Sequence, residues 1–156
     1  MSDLISDGKI RVIWAPACAN IAAPTVAEAN AGLRLDTLMT PAGLKIAPTT
    51  GSVDTSSLAS TFTTNMAGRR TFANSVETKK QDTGDTAGTT LIYKAVGFLF
   101  IRRNLDSATA PATGQNWEVY PSQCDEPIPS YGPNLIQARV VGLSTTSDPN
   151  TGAVMA

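Results

Sequence analysis

In several segments of this chain, polar and apolar positions alternate with period two, the signature of half-buried strands. Lys9–Trp14 puts Ile10, Val12 and Trp14 on one face. Gly68–Lys80 sets Arg70, Phe72, Asn74 and Val76 against Thr71, Ala73, Ser75 and Glu77. At about 3.3 Å per residue that run reaches roughly 40 Å, beyond an ordinary strand. Thr49–Leu58 is hydroxyl-rich and reads as extended. Val96–Ile101 is apolar without alternation, which suits a strand buried on both faces. Asn116–Cys124 alternates but carries Pro121, predicting an edge or a bulge. Leu135–Leu143 is the last strand, with Ile136, Ala138 and Val140 facing one way.

One stretch reads firmly as helix. In Pro24–Gly32, Thr25 and Glu28 match a capping box and Gly32 is a natural stop. The segment allows about two turns. Thr89–Lys94 suits a short helix or a strand. Residues 33–48 hold Pro41, Gly43 and Pro48 and read as irregular connection. Residues 59–67, 81–88 and 106–114 read as loops or turns, as does the stretch with Pro127, Pro129 and Pro133, and Ser147–Gly152 is a turn before a short tail. Six or seven strands and one short flanking helix predict a mainly-β protomer, a β-sandwich or open barrel. We expect a single domain over 1–156, opened by a polar arm, residues 1–8.

Composition narrows the function. Hydrophobic residues make up 42% and charged residues 16%, below the ~25% usual for soluble domains. Hydroxyl groups carry the polarity instead, or part of the surface is covered by other copies. Net charge is −1, and Arg69-Arg70, Lys79-Lys80 and Arg102-Arg103 split across strand faces, so no nucleic-acid patch is expected. Cys18 and Cys124 follow no metal or redox spacing and read as reduced, partly buried thiols of a cytoplasmic protein. Met1–Asp7 has neither a basic start nor an apolar run, so no secretory leader is expected. No run approaches the ~18 apolar residues of a membrane helix.

Candidate chemistry is thin. Asp82-Thr83-Gly84 matches the aspartic-protease tripeptide, but no apolar strand precedes it and no second copy exists; turn chemistry explains it. Asp125-Glu126 are neighbours before Pro127, unlike glycosidase carboxyls facing across a pocket. Cys124 lacks a histidine partner, because the chain has no histidine. No metal or cofactor motif is present, so none is expected. Trp14, Trp117, Tyr93, Tyr120 and Tyr131 could form a sugar platform, though core aromatics are commoner. Long hydroxyl-rich strands leave edges that a soluble monomer must protect, and closure into a ring of copies removes them. Two readings compete with that one. The first is a monomeric carbohydrate-binding module using Trp117 and the tyrosines; the second is a small hydrolase using Asp54, Asp82 or Asp125.

Trp14–Glu28 (WAPACANIAAPTVAE) resembles the opening of the tail tube, or major tail, proteins of actinobacterial siphophages. Val53–Phe62 (VDTSSLASTF) resembles a second stretch of that family, and Trp117–Cys124 and the last strand fall where the family has its own. The resemblance implies that the chain is no enzyme. It implies a homohexameric ring whose inner sheets merge into one barrel, with rings stacked into a conduit for the genome. Implied partners are further copies, the tail terminator, the tape measure and the baseplate or distal tail proteins. DNA would pass without specific binding, and the chain would not insert into a membrane. The place would be the virion tail, assembled in the host cytoplasm. A tube from a contractile tail or injection system shares the fold. By position, the inter-ring loop is Ala59, Ser60, Thr61, Phe62, Thr63, Thr64, Asn65, Met66 and Ala67, joined by the arm 1–8. Arm and loop are expected to order on assembly. A DNA conduit should avoid cationic lining, which makes Thr71, Ser75, Glu77 and Gln137 the lumen candidates. Arg69 and Lys79 share the alternation of the first three, and Arg139 that of Gln137, so they would need acidic partners from neighbouring subunits.

Overall fold

The computed structural model describes residues 3–156, so Met1 and Ser2 of the expected arm lie outside the described residues. Ten strands and two short helices follow in the order β1 Arg11–Ala15, α1 Val26–Ala31, β2 Leu33–Arg34, β3 Met39–Lys45, β4 Pro48–Asp54, β5 Asn65–Lys79, α2 Thr86–Thr90, β6 Val96–Arg102, β7 Asn116–Cys124, β8 Ile128–Ser130, β9 Ala138–Thr145 and β10 Asn150–Val154. The strands form one antiparallel sheet in the order β2-β1-β6-β7-β9-β5-β3, with β10 on β7, β4 on β5 and β8 on β9.

The first and last strands of that order are consecutive in the chain. Residues 35–38 join them: Leu35 N–H donates to Val12 O at 2.8 Å, and Lys79 N–H donates to Leu38 O at 2.7 Å. One short connection therefore bonds to β1 at one end and β5 at the other, curling the sheet into a nearly closed barrel. Val12, Trp14, Leu99, Ile101, Tyr120, Val76, Val141 and Leu143 fill its interior, with Leu35 and Met39 from the closing connection and Ala87 and Leu91 from α2. Alternate residues of β1, β6 and β7 point outward and are buried too. Ile13, Ala15, Phe100, Trp117 and Val119 pack under Ala29 and Val26 of α1, with Ala153 and Met155 from the C-terminal run. Burial on both faces is why Val96–Ile101 is apolar without a period.

The capping box of α1 forms as expected: Glu28 N–H donates to Thr25 Oγ1 at 3.2 Å, and Thr25 N–H to Glu28 Oε2 at 2.9 Å. Gly32 ends the helix for a different reason from the one expected. Its φ is −80°, so no left-handed turn requires glycine. A Cβ there would stand 2.5 Å from Ile13 Cγ2 and 2.9 Å from Trp14 O, so the absence of a side chain lets α1 settle on β1.

Several sequence expectations change. The supposedly irregular stretch 33–48 contains β2 and β3. Pro41 and Gly43 are tolerated because β3 ends the sheet order, where one row of backbone groups needs no ladder. The long strand begins at Asn65, so Asn65, Met66 and Ala67 belong to β5 and not to a loop. Residues 86–90 are helical, capped by Asp85, and the tail forms β10. Pro121 lies in an interior strand, not at an edge. Its neighbour on one side is Phe98 of β6. On the other, β10 pairs β7 up to Val119 and β9 pairs it from Ser122. The missing N–H falls at the change of partner, where Pro121 O still accepts from Thr146 N–H at 3.0 Å.

Gly32→Ala is expected to lower unfolding free energy by about 1–3 kcal/mol, the usual cost of forcing extra volume into a packed contact. Urea denaturation of the two proteins measures this, and an unchanged midpoint would refute the close-approach account.

Candidate functional site

The barrel is covered unevenly. α1 seals the outer face of β1, β6 and β7, whereas no helix covers β5 and β9. Register places the residues of that open face. Ala73 pairs with Ser144, Ser75 with Gly142 and Glu77 with Val140, while Lys45 of β3 pairs with Ser75. Thr71 continues the row where β5 leaves the barrel, opposite Thr49 of β4. Asn74, Val76 and Thr78 alternate into the barrel and are buried. Thr71, Ser75 and Glu77 thus share one outward face made of hydroxyls, small residues and few charges. Lys79 shares it too. Gln137 precedes β9, is exposed, and its main-chain O accepts from Lys80 N–H at 2.8 Å. Arg139 stands opposite Thr78 rather than Glu77, which puts it on the other face, where it pairs with Asp85 of the α2 cap.

The second feature is a projecting hairpin. β4 pairs with β5 alone, and all seven of its residues are exposed. The outer half of β5, Asn65–Thr71, is exposed apart from Gly68. At the tip, Thr55 N–H donates to Thr64 O at 2.8 Å and Thr55 Oγ1 to Thr64 Oγ1 at 3.0 Å. Ser60 Oγ donates to Phe62 O at 2.6 Å. These bonds present Leu58 at 107% and Phe62 at 75% relative exposure.

At the hairpin's root, Phe72 meets Tyr120 edge-on with ring centres 5.8 Å apart, and the Arg70 guanidinium lies 5.9 Å from the Phe72 ring centre. The Tyr120 hydroxyl donates to Glu118 Oε2 at 3.2 Å, and Arg103 grips Glu118 through Nε at 3.0 Å and Nη2 at 3.1 Å. Beyond it, Arg102 is fully buried, not a solvated strand end. It donates to Asp106 O at 2.7 Å and Gln115 Oε1 at 3.0 Å, with its guanidinium 5.3 Å from the Trp117 ring centre. These acceptors come from the loop that follows β6 and from Gln115 beyond it, and the strand's own alternation carries no sign of them, so sequence reading missed this role.

The catalytic and sugar-binding candidates are not brought together. Asp54 sits opposite Asn65 at the outer end of β5, whereas Asp82 follows its other end. Gly84, at φ +66°, makes Asp82-Thr83-Gly84 a turn. Asp125 accepts from Ser144 Oγ at 2.7 Å. Hydrogen bonds from Thr25 and Ala19 N–H hold the Glu28 carboxyl below its ordinary range, and those from Ser56 do the same for Asp54. Burial pushes Asp85 up, but Arg139 and nearby N–H groups outweigh it and the net displacement is down. Trp14, Trp117 and Tyr120 are core residues, while Tyr93 and Tyr131 are exposed, which dismantles the platform. Cys18 and Cys124 are both free thiols, each pushed up to about 11, chiefly by burial. Among the described residues no three His, Cys, Asp or Glu side chains group as metal ligands, and no helix is long and apolar enough to cross a membrane.

Comparison with known proteins adds a family and a fold. A family model described as phage tail tube protein matches residues 1–156. A chain in the cryo-EM structure of the anti-feeding prophage (AFP) baseplate, 6-fold symmetrised, superposes with a TM-score of 0.62, covering 96% of both chains at 9% identity, a likeness of fold. No curated protein sequence matches the chain.

Burial, then the Glu118 carboxylate, pushes the Tyr120 phenol up to about 12. Its unfolded value lies lower, so the unfolded chain releases this proton first and stability falls as pH rises from about 10 toward about 12. Tyr120→Phe is expected to flatten that fall. Denaturant midpoints of both proteins across this range decide it, and parallel slopes would count against the assignment.

Proposed function

This chain belongs to the phage tail tube protein family, and we propose that it performs the family's structural role by closing into six-membered rings that stack into a conduit. Being a tail tube component, it is a structural protein of the virion tail. The observation that carries the detailed reading is the combination of an uncovered sheet face with a hairpin whose outer strands, among the described residues, pair only with each other.

In the ring, the β5–β9 face lines the lumen. Thr71, Ser75 and Glu77 present hydroxyls and an acid to passing DNA, and Gln137 sits at the rim. A wall of this kind holds phosphate weakly, whereas each Lys or Arg in contact would add salt-dependent affinity. Arg69 and Lys79 are paired there with acids of neighbouring subunits. Residues 59–67, now the tip and the first part of β5, join rings to one another, together with the arm 1–8. Further partners are the terminator, tape-measure and baseplate or distal tail proteins. The resemblance of Trp14–Glu28 and Val53–Phe62 supports a siphophage of an actinobacterial host, with assembly in that host's cytoplasm. The role needs no catalysis and no cofactor, in keeping with carboxylates scattered over separate turns.

Purified protein taken through a concentration series is expected to give hollow tubes of constant width in negative-stain electron microscopy. Globular particles at every concentration, even with tail initiation proteins added, would refute ring stacking. Within such tubes, Ser75→Cys and Glu77→Cys in a Cys18→Ser background should resist a bulky maleimide that labels the same variants as protomers. Equal labelling in both states would remove the β5–β9 face from the lumen.

A further inference from the structure

The strand that carries the hairpin also fixes where its ends point. Asn65, at the start of β5, pairs with Asp54 beside the tip. Lys79, at its end, pairs with Ala138, and Lys80 N–H reaches Gln137 O at 2.8 Å. The turn between β8 and β9 therefore lies at the end of β5 opposite the tip. It too exposes apolar side chains: Tyr131 at 76%, Leu135 at 66% and Ile136 at 65%. The turn is set by its backbone. Asn134 takes φ 59° and Leu135 N–H donates to Gly132 O at 3.2 Å, so the two aliphatic side chains are held outward in the isolated protomer. Neither Thr55–Ala67 nor Pro127–Ala138 contains a charged residue.

We propose that the hairpin tip of one copy, through Leu58 and Phe62, docks on the β8–β9 turn of the next copy along the tube, through Leu135 and Ile136. This rests on the ring-stacking reading above and names the surface that receives the hairpin. The occupant is a second copy of this chain, for a geometric reason. A tip-to-tip contact is isologous and closes after two copies, whereas a tip-to-turn contact joins two different patches and repeats without limit. Only the second propagates a tube. Two uncharged apolar segments at opposite ends of one strand supply such a pair, and neither meets a charge it must desolvate.

Cross-linking tests the contact. In a Cys18→Ser background, Phe62→Cys with Leu135→Cys should give a ladder of multimers under a short bismaleimide once tubes form, and neither single variant should. A second measurement guards against variants that fail to assemble. Leu58→Glu and Ile136→Lys are each expected to raise the concentration needed for tubes by at least about tenfold, and together to restore it to within about threefold, because opposite charges then meet. Tubes without a ladder, or charge variants whose defects simply add, would overturn this contact and leave ring stacking intact. Phe62→Cys cross-linking alone as well as the pair would assign tip-to-tip association instead. Absence of tubes from the unmodified protein at all concentrations, even with tail initiation proteins added, would refute ring stacking, and this contact with it.

Discussion

The fifteen residues of β5 work under two regimes, and the rest of the molecule follows from where the change occurs. From Ala73 to Lys79 the strand is paired on both sides, with β9 over every residue and with β3. From Asn65 to Phe72 it has β4 only. The inner half is therefore fixed by a barrel with two packed layers, while the outer half is a two-stranded ribbon. Such ribbons are marginal in water on their own. This one is anchored at its root by Phe72 against Tyr120 and at its tip by the threonine pair 55 and 64. Between those points it buries almost nothing. The protein is thus a packed base with an extension that stays unburied in the single chain.

Closure of the barrel explains why a chain with so little charge stays a defined body. The connection 35–38 joins the two end strands, β2 and β3, and bonds to β1 and β5 beside them, which draws the barrel nearly closed. α2 plugs one mouth with Ala87 and Leu91, tied down by Asp85 and Arg139. Unpaired backbone is left along β3 in the barrel and along β4 in the hairpin. A fully exposed edge of seven residues, with Asp54 its one charge, invites pairing, which soluble monomers usually prevent with lysine, proline or a bulge. Here Pro48 starts the strand and the register shifts between Thr50 and Ser52, so the edge is blunted but not closed.

Elements buried on two faces, or capped by their own residues, were legible from the sequence. Val96–Ile101 announced itself by unbroken hydrophobicity, α1 by Thr25 and Glu28, and the inner half of β5 by the contrast of Asn74, Val76 and Thr78 with Ser75 and Glu77. What stayed hidden depended on distant partners. β3 carries Pro41 and Gly43, which local rules assign to loops, and it is a strand only because β5 lies beside it. Pro121 reads as an edge until one sees that β9 takes over from β10 at its level. The start of β5 was misplaced because Asn65, Met66 and Ala67 have no buried face within the protomer, so no periodicity marks them. Of the candidate site, the open face was legible in part, since Thr71, Ser75 and Glu77 do share it, whereas Gln137 stands off the strand and Arg139 turns to the other face. The turn between β8 and β9 was read only as a proline-rich loop.

The segments that local pattern could not place are also the ones the protomer leaves unburied, and the two facts have one cause. Alternation in sequence records a contrast between a wet face and a dry one. Where both faces of a ribbon are wet in the single chain, hydroxyls suit either side, and a threonine-rich composition with scattered Leu58, Phe62 and Met66 results. Burying those few side chains against another copy would supply the missing contrast. Stability of the hairpin would then depend on protein concentration, as it must for any element whose partner arrives by association. Low charge favours that arrangement, because each charged side chain brought into the contact would have to be desolvated or paired. Sparse charge, an open β4 edge and an unpatterned hairpin would thus all follow from the one condition that ring stacking proposes: part of this chain's core lying between copies rather than within one.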